Sequence, residues 1–117
     1  MEIQKRFETP KEEHEHLENL VREKLSADSE RDHEEIVDEA LREHIEYSIH
    51  DDPVGRPKEE DRQVELLVHD AMNQGIIETA RRVRNTGNPW LFREFYIALH
   101  ERYVNDLRAK GVIESHG

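Results

Sequence analysis

The chain has 117 residues, 34% of them apolar and 38% charged, with a net charge of −11 and no cysteine. That length suits one domain, and the 28 Leu, Ile, Val and Phe residues allow a packed but thin core. No run approaches the roughly 18 apolar residues of a membrane span, and the start MEIQKRFETP lacks the apolar segment of a signal peptide. A soluble, cytoplasmic protein is therefore expected. Without cysteine there are no disulfides, thiolate metal sites or cysteine nucleophiles.

The charge is unevenly spread. Residues 1–62 hold 10 basic and 21 acidic side chains, whereas 63–117 hold 7 of each. An acidic field of this kind repels phosphate backbones and favours basic partners.

Along the chain, MEIQKRFE alternates weakly and reads as a short extended N-terminal arm. Thr9-Pro10-Lys11-Glu12 has the form of a capping box, with proline at the first helical position. A first helix is predicted over about 10–25, with a narrow stripe of Leu17, Leu20, Val21 and Leu25. A second is predicted over 29–50, capped by Ser29. Its stripe is Ile36, Val37, Ala40, Leu41, Ile45, Ser48 and Ile49, at a 3.6-residue period. Residues 51–57, with two prolines and a glycine, form the linker. A third helix is predicted over 58–85, with Gly75 either admitting a neighbouring helix or splitting the segment in two. The fourth, over 88–110, is capped by Asn88 with Pro89 at its first position, and Gly111 ends it. It carries the aromatic-rich stripe Phe92, Phe95, Tyr96, Leu99, Tyr103 and Leu107, with Trp90 at its start.

These elements predict a single all-α domain over 1–117, like a four-helix bundle. An acidic pair (1–50) and an apolar hairpin (58–117) flank the linker. The apolar hairpin needs a cover, supplied either by the first pair or by a second chain. So thin a core favours homo-oligomerisation.

Several constellations carry candidate chemistry. Glu13 with His16, and Glu30 with His33, have the Glu-x-x-His spacing used by di-iron carboxylate bundles, with Glu65, Glu78 and Glu94 as facing carboxylates. His14 and His33 fall in line with the apolar stripes. Arg93-x6-His100 is similar to the Arg-x4–6-His pattern of HEPN-type helical ribonucleases. That resemblance implies a pair at a dimer interface, with His100 acting on a 2′-hydroxyl and Arg93 on phosphate. The arm IQKRF, followed by PKEEHEHLENLVREKL and EEIVDEALREHI, resembles a ribbon-helix-helix DNA-binding module. It implies a two-stranded ribbon with Gln4 and Arg6 in the major groove. However, Lys5 falls at a core position, and Asp32, Glu34 and Glu35 stand where a phosphate would dock.

The leading expectation is a non-enzymatic, acidic helical module for protein binding and assembly, acting as a homo-oligomer. Its partner is another protein, of basic character, or a second copy. Nucleic acid and membrane are not expected partners, and no catalytic residue, metal ligand or cofactor is assigned. Its oligomer core and partner surface are placed at Trp90, Phe92, Phe95, Tyr96, Leu99 and Tyr103, with the cluster Arg81, Arg82 and Arg84 as the basic patch. The ribbon-helix-helix regulator stands second, ahead of the metal-binding bundle and the HEPN-like ribonuclease.

Overall fold

The computed structural model describes residues 9–28, 30–47 and 61–113. Among them are five α-helices and no strand: α1 (Pro10–Ala27), α2 (His33–Ile45), α3 (Asp61–Gln74), α4 (Ile76–Asn85) and α5 (Pro89–Lys110). The all-α, bundle-like expectation holds. The expected N-terminal arm and the 51–57 linker lie outside the described residues.

Helix α1 starts where its local signals place it. The Thr9 side chain accepts from the Glu12 amide at 3.2 Å, and Pro10 occupies the first turn. Helix α5 likewise begins under Asn88, whose side chain accepts from the Trp90 and Leu91 amides at 3.1 and 3.2 Å. It ends at Gly111, in the left-handed region with φ 76°, a conformation glycine adopts without penalty.

Helix α2 is shorter at both ends than the expected 29–50. It starts at His33 because Asp32, not Ser29, is the cap, accepting from the Glu34 amide at 3.0 Å. Asp28 accepts from the Glu30 amide at 3.3 Å, so the residues expected in the first helical turn belong to an aspartate-held turn instead. The other end falls at Glu46, which is left-handed with φ 56°, while the Tyr47 amide donates to the Arg42 carbonyl at 2.8 Å. That pattern closes a helix. Leaving the helix lets Tyr47 bury its ring 4.7 Å from Phe92 and 5.1 Å from Tyr96, worth about 0.5–1.5 kcal/mol per aromatic pair beyond area alone. The expected stripe residues Ser48 and Ile49 lie outside the described residues.

Gly75 splits the third segment into α3 and α4. Its φ of 139° and ψ of 133° fall in a region essentially reserved for glycine. Close approach is not the reason, since a Cβ at this position would meet nothing nearer than Glu13 Oε1 at 3.5 Å. Beyond the corner α4 turns back towards α3, and Arg82 reaches Asp70 at 3.4 Å.

Helix α5 is the central element. Leu91, Phe92, Phe95, Tyr96, Leu99, Tyr103, Val104 and Leu107 are all buried, covering more of its circumference than a single stripe would, and α5 packs on α2, α3 and α4. Leu17, Val21, Ile36, Val37 and Leu41 of the acidic pair join the same core. The apolar hairpin is thus covered by the first two helices of its own chain. Each large side chain buried there contributes about 1.5–3 kcal/mol of transfer free energy. No helix among the described residues is long and apolar enough to cross a membrane.

Candidate functional site

The most connected polar cluster lies where the amino end of α1 meets the α3–α4 corner. A helix that starts at glycine has exposed amide hydrogens and no side chain of its own to answer them. Here the answer comes from Glu13, whose Oε1 accepts from the Ile76 amide at 2.5 Å and whose Oε2 accepts from the Ile77 amide at 2.9 Å. His44 of α2 bonds the same Oε2 through Nε2 at 2.9 Å. Both side chains are sealed from solvent, with Glu13 and His44 each only 2% exposed. Burial alone pushes the Glu13 carboxyl up. The His44 hydrogen bond and the two backbone amides together outweigh it and hold the carboxyl below its ordinary value. The α4 dipole acts in the same sense.

The next residue serves the other side of the break. His14 Nε2 donates to the Met72 carbonyl in the last turn of α3 at 2.9 Å, so a neutral ring carries its proton on Nε2. Two consecutive residues of α1 therefore hold both helix ends at one corner. His14 also meets the Tyr103 ring edge-on, with centroids 6.4 Å apart. Beside it opens a cavity of about 420 Å³ between α1, α3 and α5, walled by His14, Met72, Arg102, Tyr103 and Leu107 among others.

A second polar group lies across α2 and α5. The Tyr96 hydroxyl donates to the Asp38 carboxylate and sits 3.0 Å from the Asp38 carbonyl. Arg42 Nε donates to the same carboxylate at 3.1 Å, and its guanidinium lies 4.8 Å from the Tyr47 and Tyr96 ring centroids. Burial first, then the hydrogen bond to Asp38 and the Asp38 charge, raise the Tyr96 hydroxyl far above its ordinary range, so it stays a donor. A smaller cavity of about 280 Å³ lies at the α4–α5 turn, between Tyr47, Arg84, Asn88 and Phe92.

The residues singled out from sequence separate into two groups. Phe92, Phe95, Tyr96, Leu99 and Tyr103 are buried within the chain, and Trp90 is half-buried. Arg81, Arg82 and Arg84 lie exposed on α4. Arg84 donates to the Glu46 carbonyl at 2.7 Å and stacks 4.9 Å from the Phe92 ring centroid. Glu13 turns inward while His16 is exposed, its ring 5.9 Å from that of His44. Among the described residues no three His, Asp or Glu side chains gather closely enough to hold a metal ion. His100 places Nε2 3.0 Å from the Glu34 carbonyl and stacks on Tyr96. Arg93 lies two turns away, about 10 Å along the axis. The Gln4 and Arg6 ribbon lies outside the described residues.

Sequence reasoning named Glu13 only as a candidate metal ligand beside His16, and passed over His44 and Tyr47. The signal for Glu13 and His44 was present. Glu13 precedes Leu17 and Val21 at four-residue steps, and His44 follows Ala40 and Leu41 at steps of four and three, so both occupy apolar-stripe positions. His14, expected to point inward, is only half-buried, as is His33.

No protein-family model, no curated protein and no solved structure matches this chain.

Proposed function

We propose that the chain is a non-enzymatic binding and assembly module, in which the acidic α1–α2 hairpin of one copy receives the arginine edge of α4 from another. The observation that carries this reading is the segregation of charge across the fold. Residues 10–45 hold thirteen acidic and five basic side chains, whereas residues 61–113 hold seven and eight. Glu15 and Glu23 are exposed on α1, and Arg81 and Arg82 are exposed on α4. Complementary patches of this kind steer association and fix its register. The aromatic stripe, buried within the chain, is left to stabilise the protomer, so this contact is a polar one between folded copies. The non-enzymatic part is supported by the sealed Glu13–His44 pair, whose carboxylate oxygens are committed to capping α4.

Charge reversal tests this more sharply than salt, because a net charge of −11 itself repels copies at low ionic strength. Sedimentation velocity at about 0.1 M salt should show a self-associating wild type. A doubly reversed Arg81→Glu/Arg82→Glu variant should be monomeric with unchanged helicity. Mixing it with a Glu15→Lys/Glu23→Lys variant should restore association. A wild type that is monomeric at every concentration, or an oligomer indifferent to both reversals, would sink the reading.

A further inference from the structure

The cavity between α1, α3 and α5 combines features that the assembly reading does not use. In a chain with a net charge of −11, its wall carries Lys11, Arg102 and Lys110 against a single carboxylate, Asp106. Asp106 lies 3.5 Å from Arg102 Nε. Lys11 and Lys110 have no charged partner among the described residues. The wall residues alone therefore carry a net positive charge, unlike the molecule as a whole, while Glu18 and Glu13 act on Tyr103 in the opposite sense.

The second feature is Tyr103. Its side chain lines the cavity and is 97% buried, being 3% exposed, yet its hydroxyl makes no hydrogen bond to any described residue. Tyr96, the other buried tyrosine of α5, has its hydroxyl on Asp38. The hydroxyl is not one of the sealed polar atoms left without a partner among the described residues, so it is reached by solvent from the cavity it lines and is open to a ligand there. The Tyr103 ring is held in place by the edge of His14, which is itself tied to the Met72 carbonyl. The donor is thus positioned before any ligand arrives, which lowers the entropic cost of binding.

We infer that this cavity is a binding site for a small monocarboxylate with a compact apolar body, its carboxylate facing the Tyr103 hydroxyl and the Lys11, Arg102 and Lys110 cations. The volume of about 420 Å³ lies within the range of roughly 300–1,000 Å³ typical of small-molecule sites. Pro10, Met72 and Leu107 on the wall give an apolar body surfaces to cover. The charge of the ligand is limited from the other side. Burial first, and then the charges of Glu18, Asp106 and Glu13, raise the Tyr103 hydroxyl above its ordinary range. The hydroxyl is therefore a standing donor at neutral pH, in a field that tolerates one negative charge better than two.

The test is an amide-resolved NMR titration of the full chain with benzoate, set against benzamide, acetate and phenyl phosphate. Saturable shifts centred on Lys11, Asn73 and Lys110 are expected with benzoate. Benzamide, lacking the charge, and acetate, lacking the apolar body, should each bind about tenfold or more weakly. Phenyl phosphate, a dianion at pH 8, should bind less tightly than benzoate. Tyr103→Phe should weaken benzoate about tenfold, the loss expected for one charge-assisted hydrogen bond, with the remaining spectrum unchanged. The doubly substituted Lys11→Gln/Lys110→Gln chain, altered only at exposed positions, should weaken it several-fold. Scattered or absent shifts would overturn the assignment. So would equal binding of benzamide, tighter binding of phenyl phosphate, or benzoate binding indifferent to Tyr103→Phe.

Discussion

Helices α4 and α5 begin in opposite ways. Helix α5 is capped by the residue immediately before it, Asn88, with Pro89 following. Helix α4 begins at a glycine that offers no side chain, and its cap is Glu13, 63 positions earlier in the chain. A local cap stabilises the turn it belongs to. A remote cap joins whatever carries it to whatever it caps, and here it joins the acidic hairpin to the corner of the other half. His44 draws α2 into the same joint.

The contrast can be broken by substitution. Glu13→Ala leaves the buried Ile76 amide and the part-buried Ile77 amide unanswered and removes a hydrogen bond to His44, and should cost about 3–5 kcal/mol in urea unfolding. Glu13→Gln keeps one acceptor oxygen and should fall well short of that loss. Gly75→Ala has room for its methyl group but not for its φ, and should cost about 1–3 kcal/mol by thermal melting. Asn88→Ala should cost only about 1 kcal/mol, the usual value for a local cap. Equal losses at Glu13 and Asn88 would erase the distinction. The smallest effect is expected at Lys24, which bridges Glu39 at 3.1 Å and Glu43 at 2.9 Å on the hairpin surface. Lys24→Ala should cost about 0.5 kcal/mol at low salt and nothing measurable at about 1 M.

Acid sharpens the same comparison. The Glu13 carboxyl lies below its ordinary value of 4.5 in the fold, so the unfolded chain takes up its proton first as pH falls. Its contribution is therefore complete above pH 4.5 and is lost as pH drops through the folded value. Glu39 is shifted the same way by Arg31 and Lys24, but it lies half-buried at the surface, where its share is screened by salt. Acid titration of stability in about 0.5 M salt should isolate the buried group, and Glu13→Gln should flatten the remaining slope.

Thr9-Pro10, Asn88-Pro89 and Gly111 mark their helix ends in the sequence because cap and capped amide lie within three residues of each other. The aromatic stripe of α5 is equally legible as core. Its periodicity says nothing of who covers it, because a second copy and the chain's own first two helices leave the same pattern. The joint was harder to read. Glu12, Glu13 and Glu15 look alike in a glutamate-rich helix, and only the register to Leu17 and Val21 separates the buried one. At the end of α2, Pro53 looked like the stop signal. The actual stop is set by the burial of Tyr47 against Phe92 and Tyr96, a tertiary contact that no window of neighbouring residues contains.

The remote cap also sets an order of events during folding. Closing a loop of some sixty residues is slow and entropically costly compared with turning a local helix. The α4–α5 turn, self-sufficient through Asn88, can form early, while the first turn of α4 stays frayed until α1 arrives. The Ile76 and Ile77 amide protons then exchange with solvent on the schedule of α1 docking, not on that of α4 itself. In native-state hydrogen exchange they should share a protection factor with the α1 backbone. Two amide protons thus become a clock for the joining of the two halves.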